Sequence, residues 1–355
     1  MARRSIGKPR FYADILQYLK ALGYYDGSNF PEVWDMNPVN QKQFDTDWAN
    51  SDIFQQSIYF HINKPSEDLD HLLSNIPQSD VSGMYAGILG HNFKDIGVGF
   101  SLMDQYYDSV NAMADYNDTD NNIINVIPHG TSNSHFGNQY NGYSLLNITD
   151  FGGDDFTSTT DRKIGKIKLH LSTETLSGGT IPSIGAATFG RWFQPEFSFD
   201  LKGTIANNYE GVNVQNTVGG STLSNIKHLG QPNWGELPAW TLEKQEERDY
   251  NLGGAKGRRS WQVGFSYLTD DKIFNKAGNP DKFFTYDEDT EQHTFDTSLG
   301  SFLKLTLNGK LPFIFCPDSS ADDLEFALCR VTNQPSFSQV ANNLFSTSLT
   351  ITETW

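Results

Sequence analysis

Arg258–Leu268 reads RRSWQVGFSYL, and its pattern sets the fold class. Trp261, Val263, Phe265 and Tyr267 fall at every second position, with Ser260, Gln262, Gly264 and Ser266 between them. Successive side chains on a strand point to opposite faces, so a period of two gathers four large apolar groups on one side and small polar ones on the other. A helix would scatter the same residues around its circumference. The stretch therefore predicts one strand of an antiparallel sheet with a buried and a wetted face.

Similar patterning extends in both directions. Downstream, Leu303, Leu305 and Leu307 alternate with Lys304 and Thr306. LPFIFC (residues 311–316) is a continuous apolar run, and EFALCR (325–330) and SLTITE (348–353) complete the set. Upstream, strands are expected over residues 53–62, 84–89, 96–102, 123–127 and 163–171. The last should turn Ile167, Leu169 and Leu171 inward and Lys166, Lys168 and His170 outward. Loops rich in Asn, Asp, Ser and Gly separate them, notably 115–122 and 129–142. Gly90, His91 and Asn92 read as a turn between strands. No fixed-period repeat is present, which argues against a solenoid, a propeller or a fibrous shaft. The expected class is mainly β: two antiparallel β-sandwich domains (residues 29–182 and 183–355) behind a short N-terminal basic arm and helix (1–28).

Length and composition agree with that class. At roughly 150 residues per domain, 355 residues suggest two. The aromatic fraction of 13% supplies a core and argues against global disorder. Lys and Arg number 26 against 43 Asp and Glu, a net charge of −17. Such a surface repels phosphate backbones and acidic bilayers, so neither nucleic acid nor membrane is an expected partner. Cys316 and Cys329 form no CxxC pair. They could bridge if their strands adjoin, and free buried thiols are the preferred reading.

Residues 1–28 differ from the rest of the chain. Arg3, Arg4, Lys8 and Arg10 occupy ten residues without an acidic group. Phe11, Ile15, Leu16, Leu19 and Leu22 then recur at helical spacing, with Pro9 and Gly23 suited to the two ends of a helix. A helix of about twelve residues is marginal alone in water, so its apolar stripe must be buried. Two uses are open: packing on its own domain, or docking on an acidic neighbouring subunit. The docking reading assigns Arg3, Arg4, Lys8, Arg10, Phe11, Ile15 and Leu19 to a partner. Although the start is basic like a signal n-region, Asp14, Gln17 and Lys20 would spoil an h-region, so no secretion signal is expected.

Signatures of chemistry are few. GxSxG, GxxxxGK, HExxH and GxGxxG patterns are missing from the sequence. His129 and His135 bracket GTSNS too loosely for a zinc pair. Asp115, Asn117, Thr119 and Asn121 alternate as calcium ligands do, but Asp120 stands where the loop wants Gly and Val126 where it wants Glu. Asp150, Asp154 and Asp155 are a second acidic loop, also read as solvated. Paired carboxylates carry no specificity among 43 acidic residues. The expectation is no enzyme, no catalytic residue, no metal and no cofactor. Tyr106, Tyr107, Tyr116, Tyr140 and Tyr143 lie in or beside polar loops, and Tyr140 and Tyr143 are the candidates for stacking on a sugar ring.

Four segments carry a family resemblance. YAGILGHNFKDIGVGFSL (residues 85–102) resembles a strand pair of discoidin-like sandwich domains in virion structural proteins of tailed, especially marine, bacteriophages. GRRSWQVGFSYLTDDKIF (257–274) resembles the core strand of a second domain in such proteins. The closing stretch (311–355) is similar to their ending, where a paired strand delivers a terminal Trp, and RRSIGKPRFYADILQYLKALG resembles their start. The resemblance transfers no catalytic residue. It implies a tail or baseplate component, assembled in the host cytoplasm, held by other virion proteins and itself a homo-oligomer in the particle. Trp261 would then sit in the core, with Arg258 and Arg259 paired to acidic neighbours at an interface. The alternatives are a carbohydrate- or receptor-binding module, a capsid-surface decoration protein, and, as an outsider, a polysaccharide depolymerase.

Overall fold

The N-terminal strand, β1 (Arg10–Asp14), is hydrogen-bonded on both edges in the middle of the largest sheet. The structure is a computed structural model. It describes residues 7–37, 42–43, 56–62, 84–91, 97–104, 123–127, 142–148, 164–172, 183–195, 198–200, 202–209, 211–225, 233–234, 237–238, 257–273, 284–287, 292–295, 298–321 and 325–354.

In chain order, β1 leads into helix α1 (Ile15–Ala21), then β2 (Tyr25–Gly27), a 3-10 turn at Pro31–Trp34, and β3 (Lys42–Gln43). Next come β4 (Gln56–Ile62), β5 (Met84–His91), β6 (Gly97–Asp104), β7 (Ile123–Ile127), β8 (Gly142–Ile148) and β9 (Ile164–Ser172). The middle of the chain gives β10 (Ser183–Ile184), β11 (Ala186–Phe193), β12 (Thr204–Asn208), β13 (Asn213–Asn216), β14 (Thr222–Asn225), β15 (Asn233–Trp234) and β16 (Leu237–Pro238). The remainder is β17 (Arg258–Leu268), α2 (Asp270–Ile273), β18 (Phe284–Asp287), β19 (Gln292–Phe295), α3 (Leu299–Leu305), β20 (Phe313–Cys316), β21 (Ala327–Val331), β22 (Ser338–Ala341) and β23 (Leu344–Glu353).

The fold is mainly β and its sheets are antiparallel. Ten strands run β12-β17-β23-β21-β20-β1-β11-β5-β8, with β22 paired to the start of β23. A second sheet runs β2-β4-β9-β6-β7. The expected division at residue 182 falls between β9 and β10, and the ten-stranded sheet draws β1, β5 and β8 from before it and its other strands from after it.

One core joins the two sheets. Phe11, Ala13, Met84, Ala86, Ile88, Ala187 and Phe189 of the large sheet cluster with Ile58, Phe60, Ile167 and Leu169 of the small one, and with Ile15, Leu16 and Leu19 of α1. The opposite face of the large sheet buries Tyr12, Tyr85, Leu89, Ile314 and Leu328. A strand covered on both faces reads as an unbroken buried run rather than an alternation. That is why RFYAD forms a strand although Phe11 also fits a helical stripe.

The expected helix from Pro9 is therefore corrected: it begins at Ile15 and ends before Gly23, whose φ of +80° suits glycine. Asp14 caps it, accepting from the amides of Leu16 (2.7 Å) and Gln17 (3.3 Å). β11 crosses this junction at Gly190, where any Cβ would overlap the carbonyl oxygen of Ala13.

Four further expectations change. Leu303 and Leu305 belong to α3, because Leu299, Phe302 and Leu303 have helical spacing and Ser298 caps the helix by accepting from the Ser301 amide at 3.1 Å. Tyr267 does not join the inward row of Trp261, Val263 and Phe265. The register of β17 against β23 shifts between Phe265 and Leu268, so Leu268 turns inward at 5% exposure while Tyr267 is 70% exposed with φ +70°. Lys168 is buried beside Tyr59, its ammonium 5.7 Å from the ring, and burial pushes its pKa down to about 8. Gly90 and His91 complete β5 instead of forming a turn, with the register shifting between Leu89 and His91, while Asn92 lies outside the described residues.

The two cysteines are free. Their strands adjoin, but Cys329 faces the core shared by the two sheets and Cys316 the opposite face. Burial raises both thiols, Cys316 to about 11 and Cys329 well above its ordinary value.

Candidate docking surface

The basic arm divides into two parts. Arg3 and Arg4 lie outside the described residues. Lys8 is half-buried, and its carbonyl accepts from the Ser319 amide at 2.8 Å. Arg10 is held by its own sheet: Nε and Nη2 donate to Oε1 of Gln194 at 3.0 and 2.7 Å, and Cζ lies 4.2 Å above Trp192. Phe11, Ile15 and Leu19 are wholly buried. Phe11 is surrounded by Phe302, Phe315, Phe313 and Phe199, with ring centroids 4.7, 5.3, 6.1 and 6.3 Å away. The apolar stripe assigned to a partner is thus covered by the chain itself, and only the residues before β1 remain for the docking role.

Of the sugar-stacking candidates, Tyr143 is half-buried on β8 and meets Phe326 edge-on at 6.1 Å. Tyr106, Tyr107, Tyr116 and Tyr140 lie outside the described residues, as do the 115–122 and 150–155 acidic loops and His129 and His135. Among the described residues no three His, Cys, Asp or Glu side chains converge as a metal site would require, and no helix is long and apolar enough to cross a membrane.

At the C-terminal end, Trp261 is in the core at 2% exposure. The Arg259 guanidinium lies 5.4 Å from its ring and grips Glu353 of β23, Nη2 to Oε1 at 2.8 Å and Nε to Oε2 at 3.2 Å. The Arg259 amide also donates to Oε2 at 3.0 Å, and Nη2 reaches the Phe326 carbonyl at 3.1 Å. Glu325 stands 3.9 Å away. The acidic partners of Arg259 are therefore in its own chain. They tie β17, β23 and the residues just before β21 together.

The exposed surface that sequence reasoning missed begins at β12. This strand pairs only with β17 and ends the ten-stranded sheet among the described residues. The chain then folds back on itself as the hairpin β13–β14, which pairs with no other described strand. Thr217 and Ser221 close its turn: the Thr217 amide donates to the Ser221 carbonyl at 2.8 Å, and the Ser221 amide to Thr217 Oγ1 at 3.0 Å. Gly220, at φ +85°, completes the turn. Every residue of both hairpin strands is exposed. Val214 and Leu223 are 61% and 60% exposed on opposite faces, and Val218 in the turn is fully exposed. Over residues 204–225 the sequence carries one charged residue, Glu210. That gap in an acidic chain, around a Val-Gly-Gly-Ser turn, was the signal available.

The chain matches no family model, no curated protein and no solved structure.

Proposed function

We propose that this chain is a non-enzymatic structural protein of a bacteriophage virion, a tail or baseplate component held in place by contacts with neighbouring subunits. The observation that carries the reading is the pairing of a closed, aromatic core with an exposed strip free of charged side chains, made by β12 at the end of the large sheet and by the hairpin that follows it (204–209 and 211–225). An edge strand free of Pro, Lys and bulges is a template for another chain, and assembly proteins use such edges. The resembling segments support the same reading; they supply β1, β5, β17, β20, β21, β22 and β23 of the large sheet and most of β6 of the small one. Arg3 and Arg4 add a basic terminus that suits an acidic neighbour.

The test uses purified particles. Epitope-tagged chain should co-purify with particles through density-gradient centrifugation, and Arg3→Glu with Arg4→Glu should lower its incorporation. Deleting residues 1–28 would be uninformative, because it removes β1 from the centre of the sheet. Recovery of all the chain in the soluble fraction would sink the proposal. Imaging of tagged particles separates a baseplate position from a capsid-surface one.

A further inference from the structure

We infer that two copies of this chain pair through the outer edge of β12, antiparallel about a two-fold axis near Ala206, with each β13–β14 hairpin lying against the other copy. This pairing rests on the assembly reading and names one partner for its strip.

Charge selects the occupant. Two bodies of net charge −17 repel, and their closest approach is cheapest where charge is missing. Thr204–Asn208, the edge itself, has none, and residues 204–225 contain only Glu210. A two-fold axis brings identical patches together, so a charged patch would oppose itself while this one does not. The edge supplies backbone donors and acceptors over five residues, and it pairs on one side only among the described residues. The hairpin gives the same argument from stability: a two-stranded ribbon alone in water is marginal, and this one exposes Val214 on one face and Leu223 on the other. A second copy would cover both the edge and one hairpin face.

Sedimentation velocity on the full-length chain tests this. The expected result is a dimer that tightens several-fold between about 0.1 and 1 M salt, because shortening the Debye length from about 10 to about 3 Å screens the bodies while the interface has little charge to lose. Ala206→Lys and Leu223→Asp, both at exposed positions, should each weaken dimerisation by about tenfold or more with the circular dichroism spectrum unchanged, since Lys would face Lys across the axis and Asp would bring charge into an uncharged contact. Ala206→Cys should give a disulfide-linked dimer on mild oxidation, which the wild type with its two buried thiols does not. A monomer under all these conditions overturns the inference, as does a dimer indifferent to both substitutions. Incorporation of a strictly monomeric chain into particles would reject the pairing and leave the virion reading standing; a dimer found in no particle would do the reverse.

Discussion

Removing the Arg259 guanidinium while leaving Glu353 in place should destabilise the fold by about 3–5 kcal/mol, the cost of a buried charge stripped of its partner. The structure sets the terms. Glu353 is 3% exposed, and in Arg259→Met it loses the 2.8 and 3.2 Å bonds, keeping only the backbone amide at 3.0 Å. Glu325, at 3.9 Å and 30% exposed, adds at most about 1 kcal/mol. Glu353→Met should cost a similar amount by stranding the guanidinium. The double variant replaces both charges with apolar volume, so only the Phe326 carbonyl and the Arg259 amide lose partners, at about 1 kcal/mol each. The double should therefore lie within about 2 kcal/mol of wild type, giving a coupling of several kcal/mol. Urea denaturation followed by tryptophan fluorescence measures all four proteins, with Trp261 close enough to report locally. Single variants below about 1 kcal/mol, or a double equal to their sum, would refute the reasoning.

Three other outcomes are expected. Burial raises the Asp14 carboxyl from 3.8 to about 7, so the native chain holds a proton that the unfolded chain gives up. The stability belonging to that proton is complete below 3.8 and lost as pH rises through about 7, at up to about 1.4 kcal/mol per pH unit between. Asp14→Asn should flatten that fall in chemical denaturation at pH 5, 6 and 7; an unchanged slope would contradict it. Phe11→Ala should cost about 3–5 kcal/mol, because the ring fills the centre of a five-phenylalanine cluster, and thermal unfolding that hardly moves would return Phe11 to the docking role. Neither thiol should react with a disulfide reagent in the native state, and both should react in denaturant; a fast-reacting native thiol would contradict their burial.

The alternating strands were legible in the sequence because one-sided burial writes a period of two. β7 and β17 have the expected limits, 123–127 and 258–268. Each element that escaped reading did so for a different physical cause. β1 is buried on both faces, so its composition carries no alternation, and a neighbouring helix lent it a false period. The three leucines of 303–307 alternate by chance across a helix and the left-handed turn after it, where Leu307 has φ +49°. At Tyr267 one bulge reverses the alternation for a single residue, and no composition rule marks the spot. The arrangement of the large sheet is set by long-range pairing, β1 against β20 and β11, which local patterns do not encode. As for the candidate surface, the residues that stand out are ordinary ones, Asn, Thr and Val, and their importance rests on exposure.

Membership of a virus particle is the property on which the proposed function depends. Quantitative mass spectrometry of gradient-purified, salt-washed particles measures it without an intermediate step. This chain should be present at a fixed copy number relative to the major capsid subunit, unchanged by washing. Its presence at full abundance in the soluble lysate, with none in the particle band, would contradict the proposal.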